Sequence, residues 1–134
     1  MIDEFFGFSL GRLAYRSLRF EKETLPTENF QGNAVVNYTD SAVPYTRMIE
    51  HKHFERSESP VTVVSREYPV KWEPGREPYY PVNDDANNAL YSAYARLAEQ
   101  RGDVIFGGRL GTYMYYDMDK VIAQALDAAE KEFD

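Results

Sequence analysis

The chain contains no cysteine, so neither a disulfide nor a thiolate metal site can form. That fits a reducing compartment. No apolar run approaches the roughly 18 residues that a membrane-spanning helix requires. The opening Met1-Ile2-Asp3-Glu4 is acidic where the basic region of a secretory leader would stand. A cytoplasmic location is the expectation. Basic residues are in deficit: 15 Lys and Arg face 22 Asp and Glu, a net charge of −7. Such a surface repels polyanionic phosphate, which excludes a general nucleic-acid binder. Arginines grouped locally within it are therefore informative. A P-loop, a G-x-G-x-x-G fingerprint and a Ser-His-Asp arrangement are all missing. So are internal repeats and low-complexity stretches.

What is present suits one domain. The 134 residues are 43% hydrophobic, enough for a core, and 28% charged, as in ordinary soluble proteins. Eleven Tyr and eight Phe stand out. Two readings of them are open: half-buried rings turning hydroxyls to water or a ligand, or simple β-propensity.

Along the chain, Asp3 to Gly11 gathers Phe5, Phe6 and Phe8 and reads as a lead-in packed on something apolar, inside or outside this chain. Tyr15–Leu25 alternates as a half-buried strand. A turn over Asn29–Asn33, a short strand Ala34–Tyr38 and a turn Thr39–Pro44 follow. A third strand is expected over Tyr45–Phe54 and a fourth over Val61–Tyr68. Short connections favour antiparallel neighbours. Pro69–Pro81 holds four closely spaced prolines, Pro69, Pro74, Pro78 and Pro81, and is expected to be irregular. Trp72, Tyr79 and Tyr80 within it suggest that it packs or binds. Asn83, Asp84 and Asp85 are N-cap candidates for a helix over Ala86–Arg101, closed by Gly102. Val104–Phe106 reads as a lone strand. A last helix over Met118–Phe133 carries an apolar stripe of Val121, Ile122, Ala125, Leu126 and Ala129. The expected class is α+β: an antiparallel sheet of about four strands, then helix, lone strand and C-terminal helix. A lone strand needs a partner, so the chain reads as part of a larger protein. The change of hydrophobic period divides it into residues 1–82 and 83–134.

The chain is organised around Val104–Asp119, VIFGGRLGTYMYYDMD. Gly107, Gly108 and Gly111 permit positive φ and close approach of a ligand to the backbone. Arg109 sits among them. Asp117 or Asp119 would cap the helix that follows. A strand, a glycine turn and a helix N-terminus together favour an anion or a flavin oxygen. The plainer alternative is an ordinary connection with a surface arginine. Arg47, in mid-strand, would form a bidentate phosphate clamp with Arg109 if the two converge, with hydroxyls from Tyr80 and Tyr115. The alternative is that Arg47 pairs with a neighbouring carboxylate on the sheet. His51 and His53 share a strand face in this reading, with Glu50 facing away, and no third metal ligand is evident.

The segments YRSLRFE (15–21), FQGNAVVNYTD (30–40), VPYTRMIEHKHF (43–54), REYP (66–69), EPYYPVND (77–84) and GGRLGTYMYYDMD (107–119) resemble bacterial-type UDP-galactopyranose mutase, in its C-terminal portion only. Their order and approximate spacing agree over nearly the whole chain. The resemblance implies a flavin-dependent isomerase that interconverts UDP-galactopyranose and UDP-galactofuranose through a reduced-flavin N5 adduct and supplies precursor for cell-surface glycans. It implies FAD as cofactor, UDP-sugars as ligands and the N-terminal part of the enzyme as partner. Matched residue by residue, Arg47, Tyr80, Arg109 and Tyr115 fall on substrate-diphosphate contacts, with Arg47 and Arg109 also catalytic. Arg109, Asp117 and Met118 fall beside the flavin. Met114 departs from a basic residue common in relatives. On this reading residues 1–82 form a substrate-side sheet with its Pro-rich loop, and residues 83–134 complete a flavin-binding domain. The pyrophosphate fingerprint, the flexible lid, the uracil-stacking aromatics and a flavin-side histidine lie outside this chain. The chain alone is expected to be inactive, to bind FAD weakly or not at all, and to self-associate through uncovered apolar surface. The competing reading is a non-enzymatic domain that binds a nucleotide sugar or a partner protein.

Overall fold

The computed structural model describes residues 1–55 and 57–133. The class is α+β with antiparallel strands, as expected. Contacts gather the chain into two compact units: Met1–Arg16 with Trp72–Asp134, and Ser17–Lys71. This grouping differs from a division at residue 82. The N-terminal lead-in packs with the later helices, which the change of hydrophobic period does not reveal.

In the unit Ser17–Lys71 the strands are β1 (Tyr15–Leu25, from Ser17 on), β2 (Val35–Asn37), β3 (Arg47–Glu50) and β4 (Thr62–Lys71), in the order β2-β3-β4-β1. β2 opposes β3 with Val36 against Met48, and β3 opposes β4 with Ile49 against Ser65. Glu23–Arg66 and Glu21–Tyr68 contacts link β1 to β4.

Two expectations need correction here. The third strand does not reach Phe54. It ends at Glu50, and a helical turn, α2 (Lys52–Glu55), follows. The cause is Glu50, a fully buried carboxylate that accepts the Phe30 and Gln31 N–H groups at 3.0 and 2.8 Å and the Thr62 hydroxyl at 2.7 Å. Continued alternation would pull the chain away from that anchor. The fourth strand, in turn, runs on through Pro69 to Lys71. Its register with β3 ends at Glu67, so the N–H that Pro69 lacks is not required by that ladder.

The other unit holds α1 (Ile2–Phe5), β5 (Tyr80–Pro81), α3 (Asp85–Ala98), α4 (Gly108–Gly111) and α5 (Met118–Phe133). β5 pairs with the first residues of β1, Tyr15 against Pro81 and Arg16 against Tyr80, so part of the proline-rich stretch is a strand. The core joins Ile2, Leu13, Tyr15, Tyr94 and Tyr113, with Phe6, Trp72, Leu90 and Phe106 packed against it. The aromatic lead-in thus finds its apolar partner within the chain.

Asp84 caps α3, its side chain accepting the Asn87 N–H at 2.8 Å. The helix stops at Ala98, three residues before the expected Arg101, and Gly102 does not close it. Tight bonds from Gln100 and Arg101 to the Leu97 and Ala98 carbonyls finish the last turn instead. Val104–Phe106 carries no strand. Phe106 is held by ring contacts, 5.1 Å from Phe5 and 5.7 Å from Phe6. α5 has the expected bounds, yet it buries no residue, and Ile122 and Leu126 stand 60% and 61% exposed.

Candidate functional site

The glycine segment forms a single helical turn, α4. Gly107 is extended, and Gly108 takes a φ of +70°, which a side chain would strain. A Cβ on Gly111 would come within 3.3 Å of the Phe106 carbonyl carbon, so this turn lies tightly on the preceding segment. Arg109 projects from the turn. Its Nε donates to the Tyr116 carbonyl oxygen at 2.7 Å, and its guanidinium carbon lies 4.8 Å from the centre of the Tyr115 ring. The Tyr115 and Tyr80 rings are 5.5 Å apart, and Tyr80 is fixed by the β5 pairing. Among the described residues Arg109 makes no ion pair, so its terminal nitrogens keep their charge available.

Asp117 directly precedes α5. Its carbonyl oxygen accepts from Lys120 and Val121 at 3.1 Å each, which makes Asp117 rather than Asp119 the residue at the cap. Its carboxylate is exposed, with the Tyr115 hydroxyl at a long 3.5 Å. Met118, the first residue of α5, is 77% exposed. Tyr80, Arg109 and Tyr115 are therefore brought together, with Asp117 and Met118 following them in the same unit.

Arg47 belongs to the other unit. Its Nε donates to Asn37 Oδ1 at 2.9 Å, and its Nη1 stands 3.6 Å from Glu67 Oε2. Pairing with a neighbouring carboxylate on the sheet, one of the two sequence readings, is thus present. His51 and His53 do not share a strand face, because the strand has ended. His51 Nε2 meets the Ser65 hydroxyl at 2.7 Å, and His53 Nε2 lies 3.1 Å from Glu50 Oε2. Glu50 therefore does not face away from His53.

Three groups that carry the scaffold escaped the sequence reading. Tyr113 takes a left-handed φ of +50° and sends its hydroxyl to the Ala14 carbonyl oxygen at 2.6 Å, while accepting the Val82 N–H at 3.2 Å. It ties the arginine-bearing turn to the β5 edge. Burial pushes its hydroxyl up to about 12, against the pull of the Val82 contact. Burial, reinforced by Asp3, also raises Tyr15. Glu50 is the second. Burial alone would raise its carboxyl, but the Gln31 and Phe30 N–H groups, Thr62 and His53 outweigh it and hold it at about 2. Asn37 is the third. A hydrophobic pattern signals none of these roles, since each depends on a partner distant in sequence.

A cleft of about 380 Å³ runs beside the glycine turn, lined by Ile105, Phe106, Gly107, Gly108, Thr112 and the Val121–Ala128 side of α5. Its wall is apolar and aromatic, with bare glycine backbone at one edge. That suits a flat heteroaromatic ring that needs apolar faces and backbone contacts. The exposed start of α5 adds first-turn N–H groups, of the kind that donate to an electron-rich oxygen.

A family model described as UDP-galactopyranose mutase matches residues 1–115. The chain is 44% identical over 131 residues to a probable UDP-galactopyranose mutase of Klebsiella pneumoniae, covering 97% of this chain and 34% of that protein. It is 42% identical over 137 residues to a UDP-galactopyranose mutase of Mycoplasma pneumoniae, covering 98% and 34%. It is 38% identical over 130 residues to a dTDP-fucopyranose mutase of Escherichia coli, covering 96% and 34%. The chain spans about a third of the length of the curated relatives it matches.

Proposed function

The chain belongs to the UDP-galactopyranose mutase family, and from that premise we propose that it is the C-terminal part of a flavin-dependent isomerase interconverting UDP-galactopyranose and UDP-galactofuranose. The observation that carries this reading is the Tyr80–Tyr115–Arg109 assembly: two neighbouring tyrosine rings, one of them under a guanidinium that has no carboxylate partner among the described residues. Such a group suits a diphosphate, which takes charge-assisted bonds from arginine and hydroxyl donors from tyrosine.

In this proposal Arg109 neutralises the diphosphate and leans toward the cofactor. Tyr80 and Tyr115 donate to phosphate oxygens, and their rings limit water at the leaving group. Arg47 is assigned a further contact to that diphosphate from the match of its strand motif. Fixing the diphosphate keeps the nucleotide in place while the sugar rearranges, so that it returns to the same anomeric carbon. FAD fits the residues at the glycine turn. Gly107 and Gly108 leave room for its ring, and Asp117 and Met118 would lie along its edge. Reduced FAD, when bound, supplies the nucleophile at N5 that no side chain of this chain offers. The isolated chain is inactive on this account, because the remainder of the cofactor site belongs to the rest of the enzyme.

A second reading has a specific observation behind it. The 38% identical relative named dTDP-fucopyranose mutase acts, by its name, on another nucleotide and another sugar. The diphosphate is common to both substrates, and the residues assigned here would serve either. Turnover by the full-length protein, with reduced flavin, separates the readings. Furanose should form from UDP-galactopyranose at a higher kcat/KM than from dTDP-fucopyranose. The reverse order reassigns the substrate, and turnover by the isolated chain would contradict its proposed inactivity. No turnover of either sugar, with UDP still bound, would favour a non-enzymatic nucleotide-sugar domain.

A further inference from the structure

Arg47 is the middle member of a cross-strand rung. The sheet register sets it opposite Asn37 on β2 and opposite Glu67 on β4. Residues directly opposite one another share a sheet face, so the three side chains meet there. The Glu67 side chain is 9% exposed, whereas the Arg47 side chain is 39% exposed. An arginine beside a buried carboxylate would ordinarily close on it in a two-pronged clasp, with N–H···O distances near 2.8 Å. Here the clasp is open: Nη1 stops 3.6 Å from Glu67 Oε2, while Nε is taken by Asn37 Oδ1 at 2.9 Å. One hydrogen bond on Nε fixes the plane of the guanidinium, because Nε is the atom about which that plane turns. With the plane fixed, the Nη2 edge stays free of protein acceptors among the described residues.

We propose that Asn37 is a positioning residue: it holds the Arg47 guanidinium off Glu67 and leaves its outer edge open to an anion, which on the functional reading is the diphosphate of the nucleotide sugar. This rests on the functional reading above, and it explains how an arginine with a carboxylate neighbour still serves an anion. Without Asn37 the guanidinium swings onto Glu67, the pair closes, and its charge is spent within the protein. Asn37 need not touch the ligand. Its effect passes entirely through Arg47 and depends on Glu67 being charged.

UDP titration of the full-length protein tests this. Asn37→Ala should weaken UDP binding roughly fivefold to tenfold, as expected for loss of one orienting hydrogen bond. The same substitution should add nothing in an Arg47→Ala background, and Glu67→Gln should restore most of the loss. A role in folding alone predicts neither the silent background nor the rescue. Unchanged affinity in Asn37→Ala, or an equal loss in the Arg47→Ala background, overturns the proposal. Proton exchange at the Arg47 Nε–H, read by NMR on the unaltered protein, provides a check that needs no variant to fold. Slow exchange supports the tether and fast exchange refutes it. Failure of the unaltered protein to bind UDP would count against the diphosphate reading instead.

Discussion

Glu50 shows how much one side chain can hold. It is fully buried and gathers two backbone N–H groups from the Asn29–Asn33 turn, a hydroxyl from β4 and His53 from α2. Removing it leaves those donors unsatisfied, so Glu50→Ala should cost about 3 kcal/mol or more in chemical denaturation. A cost below about 1 kcal/mol would show that water replaces the carboxylate freely. The pH dependence follows with a definite sign. The folded carboxyl titrates at about 2, below its ordinary 4.5. Its stabilisation is therefore complete above pH 4.5 and is lost as the pH falls toward 2. Denaturation midpoints of the wild type should drop through that window, while those of Glu50→Gln should be flatter. Tyr113 has a comparable part beneath the arginine turn. Tyr113→Phe forfeits the bonds to Ala14 and Val82 and should cost about 1–2 kcal/mol. If the turn depends on this tie, UDP affinity should fall with it.

At the scale of elements, hydrophobic period located what packing alone decides. β1 and α5 have the expected bounds, and Asp84 is the cap of α3. Long periodic segments carry their own signal. The departures lie where a distant partner overrides local preference. β3 stops because Glu50 is anchored, β4 passes Pro69 beyond the end of its register with β3, and α3 ends on tight backbone turns rather than on Gly102. The candidate site was legible to a similar degree. The residue types pointed to Arg109, Tyr115 and Tyr80, and the structure sets the Tyr80 and Tyr115 rings 5.5 Å apart with the Arg109 guanidinium against Tyr115. The Asn37–Arg47–Glu67 rung was not legible, because it needs a register between three strands. Gly108 offers an element-scale test. Gly108→Ala places a side chain at a φ of +70° and should destabilise the turn by about 1 kcal/mol. Ligand affinity should fall further than this if the α4 backbone shapes the site. An unchanged melting temperature would show that the turn tolerates the strain.

At the scale of the whole molecule, the apolar stripe of α5 is the conspicuous open surface. Met118, Ile122, Leu126 and Phe133 are 60–90% exposed, although burial of such side chains is worth about 1.5–3 kcal/mol each. The chain matches relatives of which it spans 34%, and in our account the rest of the enzyme covers this face. The isolated chain should therefore self-associate in sedimentation velocity, and Ile122→Glu with Leu126→Glu should return it toward a monomer. A monomeric wild-type chain at high concentration would argue against that view. The proposed function has the same logic: it assigns this chain a diphosphate grip and one wall of a cofactor cleft, to be completed by the rest of the enzyme. No helix among the described residues is long and apolar enough to cross a membrane.

The central claim is that Arg109, with Tyr80 and Tyr115, and Arg47 from its own strand were placed to bind a nucleotide diphosphate. Calorimetric titration of UDP into the full-length protein, comparing wild type with Arg109→Ala and Arg47→Ala, tests it most directly. Each substitution should weaken binding by about 1.5–3 kcal/mol, the value of a charge-assisted contact. Wild-type affinity in both variants would contradict the account.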